Sequence, residues 1–501
     1  MALFIGHDLG TGGNKAVLVD ETGRILASAG ARYGLRHGPD GHVEQDPADW
    51  WQAVCACTRS LLAEASVSPE DIAGIGFAGQ MLALVPMEDA TTPSRMAISW
   101  MDARGEDQAR RITRGMGGHH VLAVIAGASP TGKDIIAKVA WLREREPAVF
   151  ARTAAFLDAT GYLVARATGK LVVDPTGASG TGLAEGVTWS RPLAWLAGFP
   201  LDKVPSITPS ASVVGGVNEA AARDLGLRAG TPVVAGMADI PAAAVGAGCV
   251  DPGEAHLYLG TSGWVAQTSS RARSVPRAGI ASVTAGDPAH RLVIGEMETA
   301  GAAVDWVRAL LGLPDGDEGH ARLDALSRDA EPGARGLLFA PWLVGERSPV
   351  PDASLRGAFV GLGLDHAPAH LARAVHEGIA HNLRWIADAM AIERHGASGL
   401  RVVGGGARSD VFLQIVADVT GRTIERVARP ELAGAVGLAL TAAVGVGALR
   451  GVSDVKRLVA LDRSFAPRRE HAPRHEASHR AFRALAAPLG VVARAMRKSG
   501  A

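Results

Sequence analysis

The first 28 residues alternate between apolar and polar positions, with two breaks in the pattern. A period of two residues places successive side chains on opposite faces of a strand, so the alternation from Leu3 to Ser28 predicts a β-hairpin. Turn residues from Asp20 to Gly23 lie in its middle, and a glycine-rich bend from Gly10 to Gly13 interrupts its first part. The chain is therefore expected to begin with paired strands.

Helical spacing follows the hairpin. The segment DPADWWQAVCACTRSLLAEA has apolar residues at helical spacing, and Asp46 or Asp49 is placed to cap it. The short strand IAGIGFAG comes next. Farther along, PAVFARTAAFLDATGYLVARATG predicts a helix with a break near Gly161, and residues 174–186 predict a loop rich in glycine and threonine. Strand and helix thus alternate, as is typical of an α/β protein.

The pattern starts again at mid-length. From Thr231, TPVVAGMADIPAAAVGAG predicts a strand, an acidic turn and a helix, and HLYLGTSGWVAQT predicts a strand, a glycine turn and a strand. The glycine turns of the two halves lie about 250 residues apart, which predicts a duplicated core of two α/β lobes that face one another. We assign residues 1–232 and 233–489 to the lobes and 490–501 to a frayed tail. The stretch from Asp462 onward predicts one exposed helix.

Length and charge limit the partners. A chain of 501 residues exceeds what one hydrophobic core usually supports, which agrees with two domains. Its 51 lysine and arginine residues balance 51 aspartate and glutamate residues, so the sequence lacks the basic excess of proteins that bind nucleic acids or anionic surfaces. A small-molecule partner is expected, with no nucleic-acid partner. A homodimer is the expected assembly for an enzyme of this size.

Three features of the sequence bear on where in the cell the protein is expected. Residues 432–449 are uncharged, but their glycine and alanine residues suit close packing, so we predict a buried core helix and no membrane span. The amino terminus has an acid at position 8 and no basic residue before Lys15, unlike a signal peptide. The three cysteines, Cys55, Cys57 and Cys249, are an odd number and predict reduced thiols in the cytoplasm.

Three glycine-rich turns are candidate phosphate sites. Glycine tolerates backbone angles that expose consecutive N–H groups, and such concave turns bind phosphate oxygens. One such turn alone is more often an ordinary hairpin bend. The segments DLGTGGNK at residues 8–15, LGTSG at 259–263 and VVGGGARS at 402–409 provide three, which together favour a nucleotide ligand.

Commoner nucleotide motifs fit these segments less well. The dinucleotide fingerprint G-x-G-x-x-G requires a third glycine, but Lys15 and Ser409 occupy that position in the two candidate turns. Residues 127–133 match the G-x-x-x-x-G-K of a P-loop, yet Asp134 stands where a hydroxyl residue is needed. Its carboxylate would lie among phosphate oxygens. The GTSGW segment is not a hydrolase elbow, because Trp264 stands in the place of a glycine.

Ten segments in a fixed order carry a family resemblance. They are DLGTGGNK, EQDPADWW, AGQM, WMDAR, AKVAWLREREP, AGMADIPAAAVGAG, LGTSG, PWLVGERSP, RGAFVGL and GGGARSD. On these segments the chain resembles the FGGY carbohydrate kinases, and within them the xylulose kinases, from Ile5 to about Leu489. The resemblance implies an α/β fold of two actin-like (ribonuclease H-like) lobes, with a duplicated core and a deep cleft between them. It also places residues 127–133 in the sugar-side lobe, which removes the P-loop interpretation.

The resemblance implies ATP and Mg²⁺ as cofactors. Asp8 would face the magnesium and the phosphates from one lobe, the GTSG turn would face them from the other, and the Gly404–Ala407 cluster would border the adenosine. Asp8 and Asp239 would hold the Mg²⁺ through water. The ATP and phosphate site implied in this way comprises Asp8, Gly10, Thr11, Gly12, Asn14, Lys15, Gly260, Thr261, Ser262, Gly404, Gly405, Gly406 and Ala407.

Asp239 aligns with the catalytic aspartate of the resembled family. Phosphoryl transfer has a loose transition state, so the enzyme mainly positions groups and neutralises charge, and an aspartate of ordinary basicity can accept the hydroxyl proton late. Without the family context, a helix cap would be the ordinary interpretation. The implied activity is ATP-dependent phosphorylation of a small sugar hydroxyl, with the conversion of D-xylulose to its 5-phosphate as first choice.

The predicted sugar side departs from the xylulose kinase pattern at two positions. The substrate contacts implied by the resemblance are Gln80, Met81, Leu82, Trp100, Asp102, Asp239 and Ile240. Xylulose kinases have a Met-His pair and an Asp-Asn pair where this chain has Leu82 and Ile240 as second members. Each lost hydrogen-bonding partner costs about 1–3 kcal/mol for a buried sugar hydroxyl. Another ketose, a polyol or a deoxy sugar is therefore an alternative substrate.

Other assignments also stay open at this point. A surface ion pair is the alternative role for Asp102 and Arg104, and an actin-like ATP-binding sugar sensor without transfer is the alternative to a kinase. The histidine pairs, His366 with His370 and His119 with His120, do not predict zinc, because a zinc site needs three or four converging ligands. Solvated or core positions are expected for them.

Overall fold

The computed structural model describes residues 2–118, 130–393 and 399–498. The strands are β1 (Leu3–Leu9), β2 (Gly13–Asp20), β3 (Ile25–Arg32), β4 (Arg36–His37), β5 (Val43–Gln45), β6 (Ile72–Gly79), β7 (Val85–Met87), β8 (Ala97–Ile98), β9 (Ala155–Leu157), β10 (Ala184–Glu185), β11 (Thr188–Trp189), β12 (Val213–Gly216), β13 (Pro232–Val234), β14 (Met237–Ala238), β15 (Ala255–Leu259), β16 (Gly263–Ser269), β17 (Ala281–Thr284), β18 (Arg291–Met297), β19 (Leu338–Ala340), β20 (Ala358–Val360), β21 (Leu400–Val403), β22 (Ile424–Val427) and β23 (Leu461–Phe465). The α-helices are α1 (Pro47–Ala65), α2 (Glu106–Gly115), α3 (Ile135–Arg145), α4 (Pro147–Arg152), α5 (Ala159–Thr168), α6 (Pro175–Ser179), α7 (Arg191–Ala197), α8 (Glu219–Leu225), α9 (Asp239–Gly246), α10 (Gly301–Leu310), α11 (Gly316–Asp329), α12 (Pro368–Ala389), α13 (Asp410–Thr420), α14 (Ala433–Gly445), α15 (Val452–Val455), α16 (Ala472–Ala484) and α17 (Ala486–Lys498).

The first sheet contains the predicted amino-terminal hairpin. Its strands lie in the order β12, β13, β6, β1, β2, β3, and β14 also pairs with β6. β1, β2 and β3 are antiparallel, whereas β6 runs parallel to β1 and to β13. The predicted turns at residues 10–13 and 20–23 join the antiparallel strands. Helix α1 begins after Asp46, whose side chain accepts a hydrogen bond from the N–H of Ala48, so Asp46 is the cap.

The second sheet repeats this arrangement. Its order is β17, β18, β16, β15, β21, β22, β23. β15, β16 and β18 are antiparallel neighbours, and β21 and β22 continue parallel to β15. Three antiparallel strands followed by parallel ones thus occur in both halves, which confirms the predicted duplicated α/β core. The predicted boundary at residue 232 falls at the start of β13, inside the first sheet; the division there stays a prediction.

Two helices of small residues lie between the sheets. α9 packs against α14, and α14 packs against β1. A side chain at Gly437 would overlap the carbonyl of Ala242, and one at Gly6 would overlap the carbonyl of Ala435. Glycine at both positions therefore permits backbone contact on either side of α14. The buried helix predicted at residues 432–449 is confirmed, and in the described part of the chain every helix is too short or too polar to span a bilayer.

Three local predictions were wrong. The break predicted near Gly161 lies earlier, at strand β9, because Asp158 caps α5 by accepting from the N–H of Gly161 at 2.7 Å. The loop predicted at residues 174–186 contains α6, which Asp174 caps in the same way. The stretch from Asp462 onward contains the end of β23 and the two helices α16 and α17, because Phe465 and Phe482 are buried against the second lobe.

Candidate active site

Asp8 lies at the carboxyl end of β1, directly before the first glycine turn. The turn is closed by a hydrogen bond from the N–H of Gly10 to the carbonyl of Gly13 at 3.0 Å. The Tyr33 hydroxyl donates to the carbonyl of Gly10, and Gln45 Nε2 donates to the carbonyl of Thr11 at 2.8 Å. Backbone groups on both sides of the turn are therefore held in place beside the half-buried Asp8 carboxylate.

Asp239 is the first residue of α9 and is also half-buried. Its Oδ1 accepts hydrogen bonds from the N–H of Ile240 at 3.0 Å and of Met81 at 3.3 Å. Burial, and then the charge of Asp8, raise the pKa of Asp239 to about 7. Burial also raises the pKa of Asp8, against the charge of Lys15. The carboxylates of Asp8 and Asp239 are hard oxygen donors, which fit a Mg²⁺ ion.

Asn14 points away from Asp8, and its predicted phosphate contact stays a prediction. Across the antiparallel pair, Asp8 lies opposite Lys15 and Leu9 lies opposite Asn14. Because successive strand residues point to opposite faces, Lys15 shares the face of Asp8 and Asn14 does not. The buried Asn14 Nδ2 instead pairs with His7 Nδ1 at 3.1 Å. The Lys15 ammonium donates to the carbonyl of Glu431 at 3.1 Å.

The second glycine turn, Gly260–Gly263, joins β15 to β16 and is held by the start of α10. The carbonyl of Gly260 accepts a hydrogen bond from the N–H of Gly301 at 2.8 Å. The carbonyl of Thr261 accepts from the N–H groups on either side of Gly301, at the start of α10. The Thr261 side chain is exposed and that of Ser262 half-buried. Burial raises the pKa of Tyr258, and the charges of Asp8 and Asp239 raise it further, so the base of this turn lies near both carboxylates.

The third turn, Gly404–Ala407, lies against the second. β15 and β21 are parallel neighbours, so the turns that follow them meet at one edge of the sheet. Gly404 has a φ of +94°, and a Cβ there would lie 2.5 Å from the carbonyl oxygen of Leu259. Gly405 is exposed, with open space where a side chain would be. We refer to residues 10–13, 260–263 and 404–407 together as the glycine turns.

Buried polar bonds hold several of the predicted sugar contacts in place. Gln80 is buried, its Nε2 donates to Gln45 Oε1 at 2.6 Å, and its Oε1 has no hydrogen-bond partner among the described residues. Lys138 is fully buried and donates to the carbonyls of Leu82 and Ser99, each at 2.9 Å. Leu82 has a φ of +63°, and its carbonyl is directed at the lysine. We call Gln80, Met81, Leu82, Trp100, Asp102 and Ile240 the acceptor wall.

Asp102 and Arg104 do not form a surface ion pair. Both side chains are almost completely buried, and Arg104 Nη2 lies 2.6 Å from Asp102 Oδ2. Asp102 also accepts from the N–H of Val43 at 2.6 Å, and the Arg104 bonds hold the pKa of Asp102 below its usual range against burial. The carboxylate of Asp102 thus holds strand β5 and Arg104; its predicted contact with a substrate stays a prediction.

Trp100 and Ile240 occupy contrasting places in the wall. The half-buried Trp100 donates from Nε1 to Thr11 Oγ1 at 2.8 Å, so it connects the wall to the first glycine turn. Ile240 is only 6% exposed and belongs to an apolar cluster against which Met81 also packs. Leu82 is half-buried. The side chains of Leu82 and Ile240 therefore give this part of the predicted sugar site the apolar character expected from the sequence.

Known proteins settle the family. Residues 3–246 match the N-terminal domain, and residues 255–446 the C-terminal domain, of the FGGY family of carbohydrate kinases. This chain belongs to that family. It is a sugar kinase, a phosphotransferase. The xylulose kinase of Bacillus subtilis (strain 168) is 32% identical, with 89% of each chain covered.

Solved structures agree with this family assignment. The xylulose kinase from Rhodospirillum rubrum has a TM-score of 0.86 at 32% identity, covering 98% of this carbohydrate kinase and 100% of that chain. Glycerol kinase from Plasmodium falciparum has a TM-score of 0.84 at 21% identity, covering 97% of this chain and 98% of that one, and shows the shared fold. The two-lobed fold predicted from the sequence is confirmed.

Sequence reasoning missed several residues that hold the site of this carbohydrate kinase. Gln45 and Lys138 lie in segments that carried the resemblance, EQDPADWW and AKVAWLREREP, but their bonds to distant backbone groups leave no local signal. Tyr33 has no sequence signal. Gly434 was part of a helix noted only for packing, yet a side chain there would overlap the Asp8 carboxylate.

A charged group that includes Glu296 lies near Asp239, whose pKa the charge of Glu296 raises. Arg347 pairs with Glu296 and, at 3.2 Å, with Glu298. The negative charges of Glu296 and Glu298, and then of Asp134, raise the pKa of Arg347.

Asp134 itself accepts from the N–H of Thr131 at 2.6 Å, which is a turn bond and not a P-loop contact. Residues 127–129 of the rejected P-loop, like His119 and His120, lie outside the described residues.

Proposed function

We propose that this carbohydrate kinase transfers the γ-phosphoryl group of ATP to a hydroxyl of a small sugar, with the 5-hydroxyl of D-xylulose as first choice. The arrangement of Asp239 carries the proposal. Its Oδ1 is fixed by two backbone N–H groups, while among the described residues no donor is hydrogen-bonded to Oδ2. Oδ2 is therefore available to accept a proton. The curated relatives named xylulose kinase support the choice of sugar.

Asp239 acts as the base in this proposal. The sugar hydroxyl donates a hydrogen bond to Oδ2, its oxygen attacks the γ-phosphorus, and the proton passes to the carboxylate as the bond to the leaving phosphate breaks. A pKa near 7 keeps a useful fraction of the group ionised at neutral pH and makes it basic enough to accept the proton. The Met81 and Ile240 N–H groups hold the carboxylate in one orientation.

The glycine turns would bind the nucleotide. Exposed N–H groups of the first turn, with the Thr261 and Ser262 hydroxyls opposite, suit phosphate oxygens, and the open face at Gly405 suits the adenosine. Asp8 and Asp239 would hold a Mg²⁺ ion through water, which would neutralise phosphate charge when bound. Exclusion of water between the lobes would favour transfer to sugar over hydrolysis. We expect a cytoplasmic homodimer.

Leu82 and Ile240 favour a second candidate acceptor. An apolar wall leaves a buried hydroxyl without partners, so a polyol, a deoxy sugar or another ketose fits it better than a fully hydroxylated chain. Relatives named for other acceptors exist: a gluconokinase of Bacillus subtilis (strain 168) is 26% identical, with 83% of this chain and 82% of its own length covered. A non-catalytic ATP-binding sugar sensor is the alternative without transfer.

ADP release measured with a coupled assay across pentuloses, hexuloses, gluconate and C4 to C6 polyols tests these proposals. We expect sugar-dependent turnover that Asp239→Ala abolishes and that Asp49→Ala, an exposed aspartate on α1, preserves. Turnover that survives Asp239→Ala would contradict the base. A wild-type protein that binds ATP but turns over with no acceptor would support the sensor.

Leu82→His tests the apolar wall separately. Restoring a hydrogen-bonding side chain should raise kcat/KM for D-xylulose relative to its 1-deoxy analogue by about 5- to 150-fold, the equivalent of about 1–3 kcal/mol. Leu82→Met is the matched control, because it changes the shape of the side chain without adding a donor. Equal selectivity in both variants would show that the wall does not contact the acceptor.

A further inference from the structure

A group of potential metal ligands lies outside the cleft, where α12 meets the carboxyl-terminal helix α16. Glu377 and His381 are one turn apart on α12, and His475 faces them from α16. All three residues are buried, with exposures of 3%, 1% and 0%. One ligand atom from each, a carboxylate oxygen and two ring nitrogens, lies within 4.8 Å of the other two. The group shares no residue with the glycine turns or the acceptor wall.

The two histidines have no hydrogen-bond partners that would explain their burial. Neither Nδ1 nor Nε2 of His381 or of His475 is hydrogen-bonded to any described residue. The same is true of His479, one turn further along α16, whose ring centroid is 5.5 Å from that of His381. His479 Nε2 does lie 4.0 Å from Asp388 Oδ2. Buried polar groups are almost always paired in proteins, so the two imidazoles of His381 and His475, which have no polar partner among the described residues, point to a missing ligand.

The carboxylate is oriented by bonds of its own. Glu377 Oε1 accepts from the N–H of Gly333 at 2.9 Å and from Arg373 Nε at 2.6 Å. Donors of this kind commonly orient the ligands of a metal centre. Nearby positive charges are themselves paired: Arg373 with Glu377, and Arg384 with Glu476 and with the carbonyl of Val419 at 3.0 Å.

We propose that Glu377, His381 and His475 bind a Zn²⁺ ion that fastens α16 to α12. Imidazole nitrogens and one carboxylate suit zinc, whereas Mg²⁺ prefers oxygen ligands, so this site is distinct in chemistry from the cleft. Ligand atoms about 3.4 Å apart surround a tetrahedral Zn²⁺ ion, so side-chain rotations of modest size close the group around the metal. His479 is the nearest further imidazole for the fourth position. The ion has a structural role, because it connects two packed helices far along the chain from each other.

Zinc binding by the untagged full-length protein tests the site. The protein is stripped with a chelator, given one equivalent of Zn²⁺, passed through gel filtration and assayed for metal. We expect one Zn²⁺ per chain in the wild type and in His471→Leu, and none in His475→Leu. His471 is the matched control, since it lies at the start of the same helix but outside the ligand group. No retained zinc in the wild type, or equal retention in His475→Leu, would overturn the proposal.

Thermal unfolding supplies a readout that does not depend on activity. Zn²⁺ should raise the Tm of the wild type and of His471→Leu and leave that of His475→Leu unchanged. Without metal, His475→Leu should be at least as stable as the wild type, because it removes an unpartnered buried imidazole. If His475→Leu does not fold, His381→Leu takes its place. A Zn²⁺-dependent rise in Tm that persists in the leucine variant would contradict the site, and tetrahedral Co²⁺ absorption in the wild type alone would support it.

Discussion

The glycine turns are made of backbone, whereas the acceptor wall is made of side chains that other side chains hold in place. Each glycine turn follows a strand of a repeated sheet and is closed by N–H to carbonyl bonds, such as Gly10 to Gly13. The wall depends on buried partners from distant segments, Gln45 for Gln80 and Lys138 for Leu82. A family can therefore keep one reaction through its backbone turns and change the acceptor through single side chains.

Asp239 is linked to both regions. Its pKa depends on Asp8, which directly precedes the first turn, and its orientation depends on the N–H of Met81 from the wall. Changes at this residue should therefore affect all acceptors alike, whereas changes confined to one region should separate nucleotide from acceptor effects. The following predictions test that separation, beginning with the largest effect.

Asp239→Asn should lower kcat/KM by about 10²- to 10⁴-fold for every acceptor, because it removes the proposed base and preserves the shape of the side chain. The same variant should be more stable than the wild type at pH 8. In the native state the pKa of Asp239 is raised to about 7, so folding favours the protonated acid. The stability that this protonation gives is fully present below the usual pKa near 3.8 and is lost as the pH rises to about 7. Thermal unfolding at pH 4.5 and pH 8 measures this. A Tm lowered equally at both pH values would contradict the assigned pKa.

Gly434→Ala should impair catalysis through the first turn. The added methyl group would overlap the Asp8 carboxylate. A displacement of about 1 Å in a reacting group can cost on the order of 10²-fold in rate, and we expect a loss of that size in kcat with little change in KM for the acceptor. Gly115→Ala is the control, because a Cβ there meets no atom within 4 Å. Full activity in Gly434→Ala would show that Asp8 can move without consequence.

The same contrast decides what the sequence could predict. The turns and strands of the duplicated core have local signals in glycine spacing and alternation, so the hairpin around Asp8 and the buried helix α14 were predicted from the sequence. The Lys138 to Leu82 bond joins residues 56 positions apart and depends on packing alone. The phosphate contact of Asn14 stays a prediction, because it was based on the residues of the turn and did not use the strand alternation that directs the Asn14 side chain to His7.

Lys138→Met should affect the acceptor side selectively. It leaves the carbonyl of Leu82 unpaired, at a cost of roughly 1–3 kcal/mol, and removes one of two donors to the carbonyl of Ser99, which keeps the N–H of Asp102. We expect a lower Tm and a higher KM for the acceptor, with KM for ATP changed much less. Lys170→Met is the control, since Lys170 donates to the carbonyl of Val214 at the surface. A rise in KM for ATP as large as that for the acceptor would mean that the two regions are not separable.

The smallest effect concerns the pH dependence of the base. The logarithm of kcat/KM should rise with pH through the free-enzyme pKa of Asp239, near 7, because only the carboxylate accepts a proton. Glu296 also raises that pKa and is paired with Arg347. Glu296→Gln removes a negative charge and leaves Arg347 less neutralised, and since both changes stabilise the ionised Asp239, the rising limb should move to lower pH. Glu298→Gln also removes an acidic partner of Arg347 but keeps Glu296, so its limb should move less. If the rising limb shifts equally in both variants, the shift is due to Arg347. If the limb does not shift in either variant, the acid limb of kcat/KM belongs to a group other than Asp239.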